Sequence, residues 1–553
     1  MIKNFMVTFY RILFFLMPIA LVAQDSSVGI SERPESETTL AVNPNNVNQL
    51  VAAAVNDFSP LPGTDNSRIS IYYSNNGGLN WKQSDYNGAI ENSTNINFIG
   101  DPVLSYAMDG TVYLTYLVWD FLSAGFEARL ILANSTDNGE NWTTQVVNTL
   151  TEGVFDKPWL TIDNSSDSPF QNRVYLSYIY STENEYQIEV IRKDQNETPT
   201  VATVAVDKNE FRVVQSPSIV TNREGDIFVS FVTNQPGSTA LHVVKSTDGG
   251  ESFSAPKQVT NLRMYYNDFS VINPIDKTGL RRLYPCPHLG IDNSNGAFSN
   301  RIYLTWTDKE LNSFDYGLDV FLTFSDDDGE TWSTPQVVNN DNEPRIHQYY
   351  STLAVNPQGE VVMCWYDRRE DDNNRLTHYY FARSKDGGQT FDEQLPLSSR
   401  PSDFSKIGQR NSDFGIGEYT QVIATENQAY AVWADGRENN GNINLYNAKV
   451  QLNEPTATVE QQPLQTTFQL ELLHPNPAQV LTNAVFSLKI PTELSLKIYN
   501  ADGKLMHQEL TKKYSVGKHQ LPINLPHLPS GTYYVHFITN QFEIIRPLLI
   551  AHS

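Results

Sequence analysis

Ser135–Trp142 reads STDNGENW, and four other segments repeat its pattern, S-x-D/N-x-G-x-(T/S/N)-(W/F). They are Ser74–Trp81 (SNNGGLNW), Ser246–Phe253 (STDGGESF), Ser325–Trp332 (SDDDGETW) and Ser384–Phe391 (SKDGGQTF). In such a segment the Asp or Asn carboxyl or amide accepts backbone N–H groups within a tight turn. The Gly takes φ > 0, and the Ser hydroxyl adds a further bond. The closing Trp or Phe is left to bury against a neighbouring sheet. The role implied is structural, a hairpin turn joining two outer strands. Successive copies stand 61, 111, 79 and 59 residues apart. The 111-residue gap is close to two periods, so one copy has decayed. Periods of this size are those of propeller blades.

A second pattern precedes the turns: an apolar strand, a polar turn, then a strand ending in an aromatic. DPVLSYAMDGTVYLTYLVWD (Asp101–Asp120) and YYSTLAVNPQGEVVMCWYDRR (from Tyr349) are examples. Alternating Val, Ile, Tyr and Trp between Asn/Gly/Asp turns reads as antiparallel strands. Seven units begin near residues 37, 101, 156, 216, 286, 349 and 418. The unit at 156–200 lacks the turn motif and accounts for the long gap. The fold class is therefore all-β, a β-propeller of seven blades, or six if the terminal units merge.

The rest of the 553 residues sets bounds. A net charge of −24 argues against nucleic acid as a partner, because phosphate binding needs clustered Lys and Arg. The two cysteines, Cys286 and Cys364, exclude a disulfide scaffold and read as buried thiols, with a pairing between them left open. No glycine-rich nucleotide loop or metal-ligand cluster is present, so no cofactor is expected. Structural calcium is the one cation the Asp-rich loops suggest, although Asp326-Asp327-Asp328 reads more simply as the turn itself. Lys3, Arg11 and the 11-residue apolar run Ile12 to Val22 form a signal peptide over 1–23, with Gln24 as the mature start. Its removal leaves a charge of −26. No later segment reaches the ~18 apolar residues of a membrane span. The propeller is expected over 24–452, a Pro-containing polar linker over 453–467, and a small β unit over 468–553, with Asp502-Gly503 as a hairpin signal.

The five turn motifs resemble the Asp-box (BNR) repeats of the sialidase-type propeller superfamily, over roughly Ser36 to Val450. The last unit resembles the type A sorting domain of the type IX secretion system. His474-Pro475-Asn476-Pro477, Ile498-Tyr499-Asn500-Ala501-Asp502-Gly503 and Leu528-Pro529-Ser530-Gly531-Thr532-Tyr533-Tyr534 carry that resemblance. It implies the secretion machinery as a partner, passage across the outer membrane, and release or surface attachment. The expected folds are a propeller and a small sandwich-like sorting domain.

In a propeller the innermost strand of each blade lines the central channel, and polar residues at its start reach the ligand mouth. By repeat these are Glu37, Asp101, Asp156 with Lys157, Ser216, His288, Tyr349 with Tyr350, and Glu418 with Tyr419. Asp367-Arg368-Arg369 and Asp435-Gly436-Arg437 close second strands. The resemblance implies a sialidase-like exo-glycosidase. Arg368, Arg369 and Arg437 would then clamp a sugar carboxylate, and Glu37 and Lys157 would contact substrate. Tyr350 or Tyr419 would be the nucleophile, Glu418 its base, and Asp101 or Asp156 the acid. The family's early Arg-Ile-Pro motif is absent, Arg33-Pro34 standing near its place, and seven units exceed the six blades of sialidases.

Structural readings stand beside these. Asp101-Pro102 and Asp156-Lys157-Pro158 also suit turns that satisfy backbone donors. Asp367 with Arg368, and Asp435 with Arg437, also suit inter-blade salt bridges, and the tyrosines suit packing between blades. Two other functions fit the chain. One is a non-catalytic propeller binding glycan or protein, with tyrosines for sugar stacking. The other is a lyase on uronate polymers, using His288, Tyr350 and Arg368.

Overall fold

The computed structural model describes residues 23–29, 31–56, 67–88, 96–122, 125–183, 185–194, 197–200, 202–235, 238–264, 283–309, 317–341, 345–392, 394–407, 416–452, 468–488, 491–500, 504–525, 528–538 and 543–552. The chain divides into two compact units, Met1–Glu454 and Pro455–Ser553.

Among the described residues the first unit holds seven antiparallel sheets, each of four strands except one that adds a short fifth. Their innermost strands are Glu35–Val42, Ile96–Tyr106, Val154–Ile162, Val214–Thr221, His288–Ile291, Gln348–Val355 and Gln421–Ala424, which define blades 1 to 7. Each innermost strand packs on the next, and the last packs on the first. That ring makes the unit a seven-bladed propeller. Blade 7 closes it by taking its outermost strand, Ala23–Ser27, from the start of the chain, with Ala23 opposite Val450. The signal-peptide expectation falls mainly on residues 1–22, and the linker on 453–467. Both ranges lie outside the described residues.

Apolar residues of facing sheets fill the gaps between blades. Ile69 and Ile71 of blade 1 pack with Leu104, Leu114 and Tyr116 of blade 2. Leu40 and Tyr72 pack with Tyr430, Val432 and Leu445 of blade 7. Each such side chain contributes about 1.5–3 kcal/mol when fully buried.

The five turn motifs join third to fourth strands, at the channel end opposite to where innermost strands begin. In blade 5, Ser325 Oγ donates to Asp327 Oδ1 (2.8 Å), Gly329 N–H to Ser325 Oγ (2.9 Å), and Thr331 N–H to Asp327 Oδ1 (2.8 Å). The same three bonds recur in the other copies, with the motif Gly at φ between 81° and 85° throughout. Blade 3 makes this connection without the motif. Blade 7 has no such connection to make, since its fourth strand arrives from elsewhere in the chain.

A second device links blades on that side. Arg173 and Arg301 end the related segments DNSSDSPFQNR (from Asp163) and DNSNGAFSNR (from Asp292). Each pairs in two-pronged fashion with an Asp of its own blade, Asp194 and Asp326. Each stacks on a Phe, Phe170 and Phe298, and donates to the carbonyl of the residue just before the motif Gly in the next blade, Gly249 and Gly387.

The second unit is a pair of sheets. Phe468–His474, Leu481–Leu488 and Gly517–Asn524 make one. Leu505–Tyr514, Thr492–Asn500, Gly531–Ile538 and Glu543–Ile550 make the other. Phe486, Ile498, Val535 and Phe537 lie in their common core. Asp502-Gly503 lies outside the described residues, between the paired strands Thr492–Asn500 and Leu505–Tyr514. No helix among the described residues is long and apolar enough to cross a membrane. Cys286 and Cys364 are buried thiols.

Candidate functional site

Where each innermost strand begins, the seven blades place one equivalent residue: Glu37, Asp101, Lys157, Ser216, Cys286, Tyr350 and Glu418. Six of them have positive φ, from 41° to 57°, and in blade 7 the preceding Gly417 takes φ 83° instead. Left-handed backbone at non-Gly residues is costly. Its recurrence around the ring makes it a feature of the scaffold, a bulge that turns each strand into the channel. In five blades the strand pairing shifts at this point.

The ring residues of four blades meet. Asp101 is hydrogen-bonded to Glu37, and the Lys157 backbone N–H donates to Asp101 Oδ2 at 3.0 Å. Lys157 Nζ pairs with Glu418 Oε2, linking blades 3 and 7. Glu37 is 3% exposed, Asp101 6% and Glu418 1%. Burial, then the Glu37 carboxylate, pushes the Asp101 carboxyl up to about 8 against the pull of Lys157. Burial alone would draw the Lys157 ammonium down, but the surrounding carboxylates, Asp156 and Asp101 foremost, raise it. The arrangement is a protonated carboxyl beside a carboxylate, with a fixed ion pair next to them.

Below the ring lies an aromatic contact. The ring centroids of Trp159 and His288 are 4.7 Å apart, and those of Trp159 and Tyr419 5.8 Å, both edge to face. These residues come from blades 3, 5 and 7, so they meet across the axis. Burial holds the His288 imidazolium down at about 4, so His288 is neutral at pH 7. Burial and the charges of Glu37, Asp101 and Asp156 raise the Tyr419 phenol well above its usual range. Tyr419 Oη has no hydrogen-bond partner among the described residues, and Glu418 Oε2 is turned to Lys157. No Tyr–Glu hydrogen bond forms there. Tyr350 is 2% exposed and packs edge-on against Tyr349.

The three arginines lie within blades 6 and 7, each held by its own partners. Arg368 is fully buried, bonds Thr377 Oγ1 (3.0 Å) and the Asn374 carbonyl (2.8 Å), and lies over Tyr349. Arg369 pairs with Asp367 (2.6 Å) and stacks on Tyr380. Arg437 pairs with Asp435 (2.6 Å) and with Asp25 of the closing strand. The expected Asp367–Arg368 bridge between blades is thus an Asp367–Arg369 bridge within one. Two residues on from the Asp, Arg369 also donates its backbone N–H to Asp367 Oδ1. Arg437 repeats this with Asp435, so Trp-x-Asp-x-Arg is the true repeat: each Trp indole N–H donates to the same Asp.

Sequence reasoning missed the lacing of the ring. Thr39 Oγ1 accepts from Leu104 N–H (2.9 Å), Ser218 Oγ from Leu289 N–H (3.1 Å), and Gln421 Oε1 from Leu40 N–H (2.9 Å). Each ties one innermost strand to its neighbour. For the first two the signal was available as Thr or Ser two places after the ring position; Gln421 stands three places after Glu418. Segments 57–66, 89–95, 265–282, 310–316, 342–344 and 408–415 lie outside the described residues.

Comparison with known proteins gives two family matches. Residues 181–405 match the BNR repeat-like domain, and residues 472–551 the secretion system C-terminal sorting domain. The chain is thus an Asp-box propeller with a type IX sorting domain, which directs it to the cell surface or the extracellular space. No curated protein matches. Among solved structures, an alpha-L-arabinanase of Penicillium chrysogenum, complexed with arabinobiose, is similar at 12% identity and TM-score 0.42, covering 68% of this chain and 99% of that one. A protein of unknown function from Dyadobacter fermentans is similar at 13% and 0.40, covering 78% and 99%. The intramolecular trans-sialidase of Ruminococcus gnavus is similar at 14% and 0.38, covering 61% and 91%.

Proposed function

We propose that the chain is a secreted glycoside hydrolase acting on extracellular glycans at the ring end of the propeller channel. The observation that carries this is the Asp101–Glu37 carboxyl pair beside the Lys157–Glu418 ion pair, over an aromatic floor. Glycosidic cleavage needs a carboxylic acid that still holds its proton at neutral pH to protonate the leaving oxygen. Asp101 meets that need. Glu418 of blade 7, kept in place by Lys157, is the second carboxylate. The indole of Trp159 offers the apolar surface on which a sugar ring packs.

The substrate this arrangement favours is a neutral sugar. The ring is rich in carboxylates, and Arg369 and Arg437 already satisfy carboxylates of their own blades. This departs from the carboxylate-clamping sialidase reading. The near-complete burial of the ring favours a second reading, a non-catalytic propeller with a sealed channel.

The test is product release by the full chain from a panel of neutral, sialylated and uronate-containing glycans, alongside Asp101→Asn and Glu418→Gln. Free neutral sugar, lost in both variants, is the expected result. Free sialic acid would restore the sialidase reading, and an unsaturated uronate would point to a lyase. Glycan retention without any product would leave the binding propeller.

A further inference from the structure

Beneath the Trp159–His288 contact the channel opens into a cavity of about 290 Å³, lined by all seven blades. It lies on the motif-turn side, away from the carboxylate ring. Its wall is mainly aliphatic, with Leu104 and Leu289 among the lining residues, interrupted by the hydroxyls of Ser105, Thr161 and Thr352. No Asp, Glu, Lys or Arg is among the lining residues. A second, polar cavity of about 440 Å³ adjoins it, sharing Thr161, Asn164 and Val220.

His288 supplies an independent observation. It is 6% exposed, lines the cavity, and has no hydrogen-bond or ion-pair partner among the described residues. An imidazole facing the cavity offers one donor and one acceptor, and leaving them unused is unfavourable unless something bonds them. Hydrogen bonding elsewhere in this channel is close: Thr39, Ser218 and Gln421 are each engaged.

We propose that this axial cavity is a second ligand site, for a neutral hydroxylated molecule the size of a single sugar ring. Its volume is at the lower end of small-molecule pockets, about 300 Å³. A charged ligand would enter a site without a counter-charge, and a hydrocarbon would leave His288 unpaired. A sugar ring meets both demands. Its C–H faces lie on the aliphatic wall and Trp159, and a hydroxyl bonds His288. The site shares Trp159 and His288 with the floor of the carboxylate ring but lies on their far side, and it holds whether or not that ring hydrolyses anything.

The test is saturation-transfer NMR on the full chain with methyl β-galactopyranoside and methyl β-glucopyranoside, and with glucuronic acid as the charged comparison. The variant Ser105→Leu/Thr161→Leu fills the cavity without touching the ring residues. At least one neutral probe should bind, roughly tenfold or more weaker in a filled variant that melts as the wild type does. Undiminished transfer in that variant, or binding of glucuronic acid equal to the neutral probes, would overturn the proposal. Should the filled variant not fold, crystals of the wild type soaked in the neutral probes decide. Sugar density against His288 and the Ser105 and Thr161 hydroxyls supports the site, and water alone there refutes it.

Discussion

Replacing Asp101 by Asn removes one titrating proton and little else. Asn keeps the carbonyl that accepts from Lys157 N–H, and its amide can donate to Glu37 as the protonated acid does. The folded carboxyl holds its proton up to about 8, against an ordinary 3.8. The sign follows from linkage. The folded pKa is raised, so this group's stabilisation is complete below about pH 4 and is lost as pH climbs to about 8. Within that window the native state carries a proton that the unfolded chain has released. One whole proton corresponds to about 1.4 kcal/mol of stability per pH unit. Asp101→Asn should remove that slope, so between pH 5 and pH 7 the gap between the two proteins shifts by roughly 3 kcal/mol in favour of the variant. All eight tryptophans lie between residues 81 and 433, so tryptophan fluorescence during urea unfolding reports on the propeller alone. Stability curves that stay parallel across this window would refute the shared-proton reading of Asp101 and Glu37.

Other consequences follow from the same contacts. Lys157→Met strands Glu418 as a buried charge and should cost about 3–5 kcal/mol in urea unfolding, most of it recovered in Lys157→Met/Glu418→Gln. Ser325→Ala leaves the Gly329 N–H buried without an acceptor and should cost about 1–3 kcal/mol while leaving any glycan product unchanged. In the turn motifs, hydrogen bonds outweigh burial and hold Asp248 down at about 2, with Asp137 and Asp386 also lowered. Their stabilisation is present above about pH 4 and fades as pH falls toward 2. Acid unfolding monitored by fluorescence should therefore shift to higher pH in Asp248→Asn.

The propeller was legible because its signals are local. A Ser-Asp-Gly turn closes within eight residues, and a strand announces itself by alternation, so blades could be counted from the chain alone. Six of the ring positions were legible for the same reason, each lying a fixed step before an apolar strand; in blade 5 the sequence reading chose His288, two places after the ring residue Cys286. What those side chains meet depends on closure of a ring of more than 400 residues. Lys157 finds Glu418 from 261 positions away, and Arg437 finds Asp25 from 412. No short-range pattern carries that information. Arg368, Arg369 and Arg437 show the consequence: residue type marked them as a clamp, while their two-residue spacing to Asp367 and Asp435 already suited two of them to internal pairs. The Trp159–His288–Tyr419 contact joins blades 3, 5 and 7 and has no counterpart in sequence spacing. The Arg173 and Arg301 links did have one, the related segments from Asp163 and Asp292.

The central claim is that Asp101 delivers a proton to a leaving oxygen, and leaving-group dependence tests it most directly. Turnover by the full chain and by Asp101→Asn should be compared on a methyl glycoside and a dinitrophenyl glycoside of whichever sugar is released. Loss of about 10²- to 10⁴-fold on the methyl glycoside, with the dinitrophenyl glycoside nearly unaffected, is the result predicted, since only the poor leaving group needs the acid. Equal loss on both substrates, no loss on either, or no turnover of any glycoside by the wild type would contradict it.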